Sequence, residues 1–155
     1  MTTDNPTCRT CAIIRGDEPG GPGGLIYGDQ YWGVEHAIEP IPMVGWLVLR
    51  PWRHVEAFAD LTPEEATSFG PAVHRITKAM EEVLHPAKIY LSLYAEATGF
   101  AHLHVHLIPR FPDTPKDRRG PHIFAYLSEA GHTRRNGGDP IQAAAVAREI
   151  AVRLQ

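Results

Sequence analysis

The spacing of apolar residues changes several times along the chain, and each change predicts an element. Leu25–Tyr27 and Tyr31–His36 flank Gly28-Asp29 and predict a β-hairpin. Val44–Arg50 (VGWLVLR) predicts a strand closed by Pro51. Apolar residues then recur in steps of three and four at Ala66, Phe69, Val73, Ile76, Met80 and Val83, which predicts a long helix with one buried face. Thr62 suits its N-cap, Pro63 its first position, and Glu65 the third, where the carboxylate can reach back. Pro71 removes a backbone donor within this pattern and predicts either a kink or a helix that starts after Gly70. Ile89–Ala95 and Ala101–Ile108 alternate cleanly and predict neighbouring antiparallel strands. Asp139-Pro140 opens a C-terminal helix over Ile141–Leu154. The expected fold is α+β: an antiparallel sheet of about five strands with one long helix and a C-terminal helix.

Gly16–Gly24, Pro109–Pro121 and Arg135–Pro140 are turn-rich and too short for linkers. They are expected to be loops on a single domain spanning residues 1–155, a length that gives one hydrophobic core. The formal charge of −3 makes non-specific nucleic-acid or anionic-lipid binding a poor expectation. The longest apolar run, Val44–Leu49, is far short of a membrane span. Met1–Thr7 is polar and shows no secretory signal, and two cysteines do not make a disulfide framework. A soluble, cytoplasmic domain is expected.

The unusual feature is histidine. Of nine in the chain, His102, His104 and His106 alternate with Leu103, Val105 and Leu107. On a strand this puts three imidazoles on one face and the aliphatic side chains on the other. A half-exposed strand that uses His as its polar residue accounts for one such position better than for three. A tri-histidine metal site is disfavoured by reach: Cα atoms four residues apart on a strand are roughly 13 Å apart, while a metal needs every nitrogen at about 2 Å. The row fits a division of labour along an extended, phosphate-bearing ligand. One imidazole would attack phosphorus while its neighbours donate to the phosphate oxygens and the leaving group.

Cys8-Arg9-Thr10-Cys11 has the spacing of a zinc half-site. A redox dithiol or two unrelated thiols are the other readings. For zinc, His54 after the Val44–Arg50 strand and His102 at the near end of the histidine row are the candidates to complete four ligands. Such a site would be structural, with no position left for substrate.

Gly45-Trp46-Leu47-Val48-Leu49-Arg50-Pro51-Trp52-Arg53-His54, the helix opening Leu61–Glu65, and His102-Leu103-His104-Val105-His106-Leu107-Ile108-Pro109-Arg110 together resemble the histidine triad (HIT) family, in its zinc-bearing Cys-x-x-Cys branch. The resemblance runs from about Cys8 to Arg110, leaving residues 111–155 as a C-terminal extension. It implies a sheet-paired homodimer and nucleotide hydrolase or transferase chemistry at an α-phosphate. His104 would carry the covalent nucleotidyl group and His106 would lie beside the phosphate. It also implies zinc held by Cys8, Cys11, His54 and His102, the same four positions that spacing suggests.

The sequence departs from that family in three places. Trp46 stands where members usually carry a fourth active-site His. Ala97-Thr98-Gly99-Phe100 replaces the usual Gly-Gln and Ser or Thr before the triad, so that Thr98 or the Gly99 N–H would have to substitute in substrate binding. No carboxylate lies at the usual ribose-gripping position near Ala37, and Glu39 is the nearest. These departures keep a second reading open, a zinc-stabilised nucleotide-binding module with little or no catalysis. A weaker third is a metallohydrolase using His104 and His106.

Remaining candidates have ordinary explanations beside functional ones. His36 is expected at a surface or half-buried position, with a pocket role as the alternative; His74 and His85 are expected in solvent. Arg110 is placed either to meet phosphate or to close a salt bridge. Lys116–Arg119 with His122 reads as a solvated loop or a clamp for a distal group, and Tyr90 and Tyr94 as sheet packing or a base-stacking platform.

Overall fold

A computed structural model of the chain describes residues 5–130 and 138–155. The expected loop at Arg135–Pro140 lies outside the described residues as far as residue 137, as do residues 1–4 of the polar N-terminus. Five strands form one antiparallel sheet: β1 Leu25–Gly28, β2 Trp32–His36, β3 Leu47–Pro51, β4 Lys88–Leu93 and β5 Val105–Arg110, in the order β1-β2-β3-β5-β4. Among the described residues four α-helices accompany it: α1 Arg9–Arg15, α2 Pro63–Leu84, α3 Ala125–Ala130 and α4 Pro140–Arg153. The α+β architecture, the long helix and the C-terminal helix are those expected from the pattern.

The hairpin forms because Asp29 closes it from within. Its Oδ1 accepts the N–H groups of Tyr31 and Trp32, each at 2.8 Å, so the turn's own side chain satisfies the backbone between β1 and β2. Pleating then sorts the residues of β3 and β5. Leu47, Leu49, Val105 and Leu107 enter a core with Ile76 and Met80 of α2 and Ala147 and Ile150 of α4. On the opposite face Trp46, Ile108 and Ile123 form a smaller cluster with Ala37, against which Tyr90 and Phe124 pack.

Helix α2 begins where expected. Thr62 Oγ1 accepts the Glu65 N–H at 3.2 Å while the Glu65 carboxylate accepts the Thr62 N–H at 2.8 Å, a complete capping box. The helix does not wait for Gly70: it runs unbroken through Pro71, so the late start is corrected. Pro71 is exposed, where water can reach the carbonyl that its missing N–H leaves without a partner.

The segment before β5 also differs from expectation. Strand pairing starts at Val105 rather than Ala101, because the Leu103 N–H is taken by the Val55 carbonyl at 2.6 Å. His102 and His104 therefore precede the ladder. β5 runs on instead through Pro109 and Arg110, which pair with Ile89 and Lys88 of β4. The strand expected over Val44–Arg50 starts at Leu47, after a turn at Gly45 with φ +86°. Helices α1 and α3 were not foreseen; at seven and six residues they are too short to show a period.

Glu65 links the cap to the rest of the fold. It is buried and forms a two-pronged pair with Arg53, at 3.0 Å to Nε and 2.6 Å to Nη2, which holds its carboxyl below the ordinary value. Glu65→Gln keeps the size but loses the charge. We expect it to cost about 2 kcal/mol at neutral pH in chemical denaturation. Because the folded carboxyl is the stronger acid, that difference is fully present above the ordinary carboxylate range and closes as pH falls through the lowered folded value.

Candidate active site and metal centre

Helix α1 brings the two cysteines to His54 and His102. Cys8 is its N-cap, with Sγ accepting the Cys11 N–H at 3.4 Å, so both thiols face the same side of the first turn. Cys8 Sγ lies 3.8 Å from His102 Nδ1, and Cys11 Sγ lies 3.6 Å from His102 Nδ1 and 3.3 Å from His54 Nδ1. One ligand atom from each of the four residues falls within 4.8 Å of the others. With bonds of about 2.0–2.3 Å, a tetrahedral ion has ligand atoms roughly 3.3–3.8 Å apart, so the donor set fits such an ion. The Nε2–H of His102 donates to the Pro51 carbonyl at 3.0 Å, which leaves Nδ1 with its lone pair towards the thiols. Burial pushes the His102 pKa down to about 4, keeping the ring in the neutral form that a ligand requires. Neither cysteine is in a disulfide. The four residues named from spacing are thus brought together, and His102 belongs to this cluster.

His104 and His106 line a separate cleft of about 560 Å³. Its walls are mostly apolar, with Ile13 of α1, Val48 of β3, Phe100, Phe124 and Leu127 among them. The two imidazoles meet edge to face with centroids 5.0 Å apart. His104 Nδ1–H donates to the His102 carbonyl at 2.7 Å, so Nε2 keeps the lone pair. Burial lowers the His104 pKa, against the pull of that hydrogen bond, and the Arg50 charge adds to the lowering. A neutral imidazole with a lone pair on Nε2 is the form that can act as a nucleophile.

His106 is fixed the opposite way. The register Val48↔His106 sets β3 against β5, and Trp46, two residues earlier on the same face, reaches across diagonally. Its indole Nε1–H donates to His106 Nδ1 at 3.0 Å, leaving the His106 proton on Nε2. Burial, with the neighbouring His104, pushes the His106 pKa down to about 4. Protonating it would set two donors face to face. Phe124 packs edge-on against Trp46, His106 and Tyr94 and holds the group from the far side.

Other expectations fare unevenly. His36 is buried rather than half-exposed and is among the residues lining the cleft: its ring spans the Ala37 carbonyl at 3.0 Å and the Gly45 N–H at 2.9 Å, tying the end of β2 to the turn before β3. Glu39 and Tyr94 do line the cleft. Thr98, Gly99 and Arg110 are not among its lining residues. Gly99 serves α1 instead, its carbonyl accepting the Arg9 N–H at 2.8 Å, and Arg110 sits at the distal end of β5 opposite Lys88. His74 and His85 are exposed, as expected. The basic loop is tied down: Arg118 pairs with Glu129 at 2.6 Å and Arg119 Nε donates to the Thr114 carbonyl. Tyr90 is a packing residue whose hydroxyl accepts the Gly120 N–H at 3.1 Å.

Among the residues lining the cleft, sequence reasoning gave no role to the charged pair Arg50 and Glu35. They form a pair at 3.0 Å in which the Arg50 side chain is only 5% exposed. Alternation along β3, where Arg50 shares a face with Trp46 and Val48, was the available signal.

Residues 21–113 match the family of the HIT domain. The chain belongs to the HIT domain family. Membership supports nucleotide-binding or hydrolase-type function in general terms. Solved structures agree on the fold. A zinc-bound histidine triad family protein from Mycobacterium smegmatis is 23% identical, with TM-score 0.65, covering 95% of this chain and 94% of that one. A hypothetical histidine triad nucleotide-binding protein from Sulfolobus tokodaii is 16% identical, with TM-score 0.67, covering 95% and 91%. A HIT family member from Bacillus subtilis is 25% identical, with TM-score 0.59, covering 82% and 96%. Among curated protein sequences none gives a significant match. Within this HIT domain no helix among the described residues is long and apolar enough to cross a membrane.

The indole contact has a spectroscopic consequence. Trp46→Phe removes the donor that fixes His106. The ring ¹⁵N shifts of His106 should be those of a single Nε2–H tautomer in wild type and should move towards a mixture in the variant; identical shifts in the two proteins would show that Trp46 does not set the tautomer.

Proposed function

We propose that this HIT protein is a nucleotide hydrolase or nucleotidyltransferase that works through a covalent nucleotidyl-histidine on His104. The observation that carries the reading is the orientation of that ring. Its Nδ1–H is held by the His102 carbonyl, and Nε2 keeps its lone pair in a ring that lines a cleft large enough for a nucleotide. Nε2 attacks the α-phosphorus, an N–P bond forms, and the bond from phosphorus to the leaving group breaks. His106 Nε2–H is the donor available to the departing atom or a phosphate oxygen. Water or another acceptor then takes the nucleotidyl group and restores the neutral ring. Apolar walls exclude bulk water and strengthen each of these interactions.

Zinc at Cys8, Cys11, His54 and His102 belongs to the same proposal as a structural ion. It would supply cohesion, with four protein ligands and no open position. The reading extends to one HIT-like domain over residues 1–155, a homodimer, and a cytoplasmic location. Edge strand β4 supports the dimer, because its outer side is not paired and Leu91 and Leu93 are 48% and 37% exposed on it. Thiolate ligands suit a reducing compartment. No nucleic-acid partner is proposed.

Intact-mass spectrometry after brief incubation with adenosine phosphoramidate or diadenosine polyphosphates tests the chemistry. Wild type should gain a nucleotidyl mass and turn substrate over, and His104→Ala should lose the adduct and at least ~10³-fold of the rate. Equal turnover by both proteins would discard the mechanism. Micromolar binding by wild type with no product over hours would favour a nucleotide-binding module, which the Ala97–Phe100 stretch, lacking the usual cradle, would then explain.

Elemental analysis tests the metal assignment. Wild type should carry about one zinc per chain, and Cys8→Ser should lower that towards zero while loosening α1 in hydrogen exchange. Unchanged stoichiometry would refute the ligand set.

A further inference from the structure

We propose that Arg50 is the anion-binding group of the cleft, held by Glu35 beside His104 so that it grips a phosphate oxygen of the ligand. The inference rests on the reading of the cleft as a phosphate-ester site and adds a residue for which neither motif nor spacing gave a role.

Placement comes first. The β3–β5 register pairs Leu47 with Leu107, Val48 with His106 and Leu49 with Val105. The ladder ends at Leu49–Val105, and Arg50 and His104 are the next residues on either side of it. Both line the cleft. Arg50 therefore shares the cleft wall with the ring proposed to attack phosphorus.

Arg50 Nη2 donates to Glu35 Oε1 at 3.0 Å. Nε is buried and has no partner, the one such side-chain atom among the described residues. Nη1 makes no hydrogen bond with any described residue. A guanidinium offers five N–H groups, and one buried with most of them unmatched is costly unless something else accepts. Nε is sealed from solvent, so the donors left for a ligand in the cleft are those of Nη1 and the second Nη2–H, and a phosphate, with several acceptor oxygens and negative charge, matches that pair.

Glu35 is itself positioned. It lies diagonally across β2–β3 from Arg50, since Gly33 pairs with Arg50 and Glu35 with Val48. Its other oxygen, Oε2, accepts the Gly21 N–H at 3.1 Å from the glycine-rich loop. That loop can approach only because residue 21 is glycine: a Cβ there would overlap the His36 carbonyl. The carboxylate orients the guanidinium without using up its fork. Thr98, Gly99 and Arg110 are not among the residues lining the cleft, whereas two arginines are; Arg9 is half exposed and paired with Glu18, which leaves Arg50 as the buried cation of the cleft.

Isothermal calorimetry on the full chain, with adenosine against AMP and guanosine against GMP, tests this. Wild type should bind at least one monophosphate about tenfold or more tighter than its nucleoside. Arg50→Gln should remove that preference and leave nucleoside affinity within about twofold, with Arg50→Lys in between because it keeps the charge but not the fork. The double variant R50Q/E35Q avoids a lone buried carboxylate and should behave as Arg50→Gln does, which covers the case in which the single variant unfolds. The inference is overturned if wild type does not prefer a monophosphate, if both ligands weaken equally in the folded variants, or if the double variant keeps the preference. Loss of the His104 adduct reaction with the monophosphate preference intact would instead sink the covalent mechanism alone.

Discussion

The pairing of β3 with β5 is the constraint from which the cleft follows. Once Val48 stands opposite His106, the two-residue alternation of both strands is fixed together. Leu47, Leu49, Val105 and Leu107 go into the core, and Trp46, Arg50, His104 and His106 are left facing one another on the other side. A slip of one residue would exchange the two sets, burying a guanidinium and two imidazoles in the aliphatic core. The packing of the core thus holds the cleft-facing side chains in register.

Two neighbouring histidines are given complementary roles by what binds their Nδ1 atoms. A carbonyl can only accept, so His104 Nδ1 must carry a proton; an indole N–H can only donate, so His106 Nδ1 must not. The rings differ in which Nε2 has the lone pair and which has the hydrogen. Burial keeps both neutral, so the division persists across physiological pH. Trp46, a departure from the usual family pattern, is thereby an integral part of the arrangement.

Much of this was legible from sequence. The two strong periods, two-residue along β5 and three-to-four along α2, located the main elements, and the four proposed metal ligands were readable because spacing and residue type narrow the choice. What escaped has physical causes. Alternation along β3 shows which residues share a side, but the partner of Trp46 or Arg50 depends on register, which is a long-range property. Pro71 predicts a kink or a late start from sequence, but it faces solvent, where the lost backbone hydrogen bond can be replaced by water. Thr98 and Gly99 were named from their position before the triad, whereas the chain there turns to cap α1. A strand was expected to include His102 and His104, but the Val55 carbonyl captures Leu103 and ends the ladder early.

Helix α1 is only seven residues long, yet it has two audiences. Its N-cap and third residue, Cys8 and Cys11, belong to the thiol–imidazole cluster, while Arg9, Thr10 and Ile13 form part of the cleft wall. A helix this short has little stability of its own and is held by what it touches. The thiol–imidazole cluster and one wall of the cleft are thus built on the same two turns of backbone, so that neither can be displaced without moving the other.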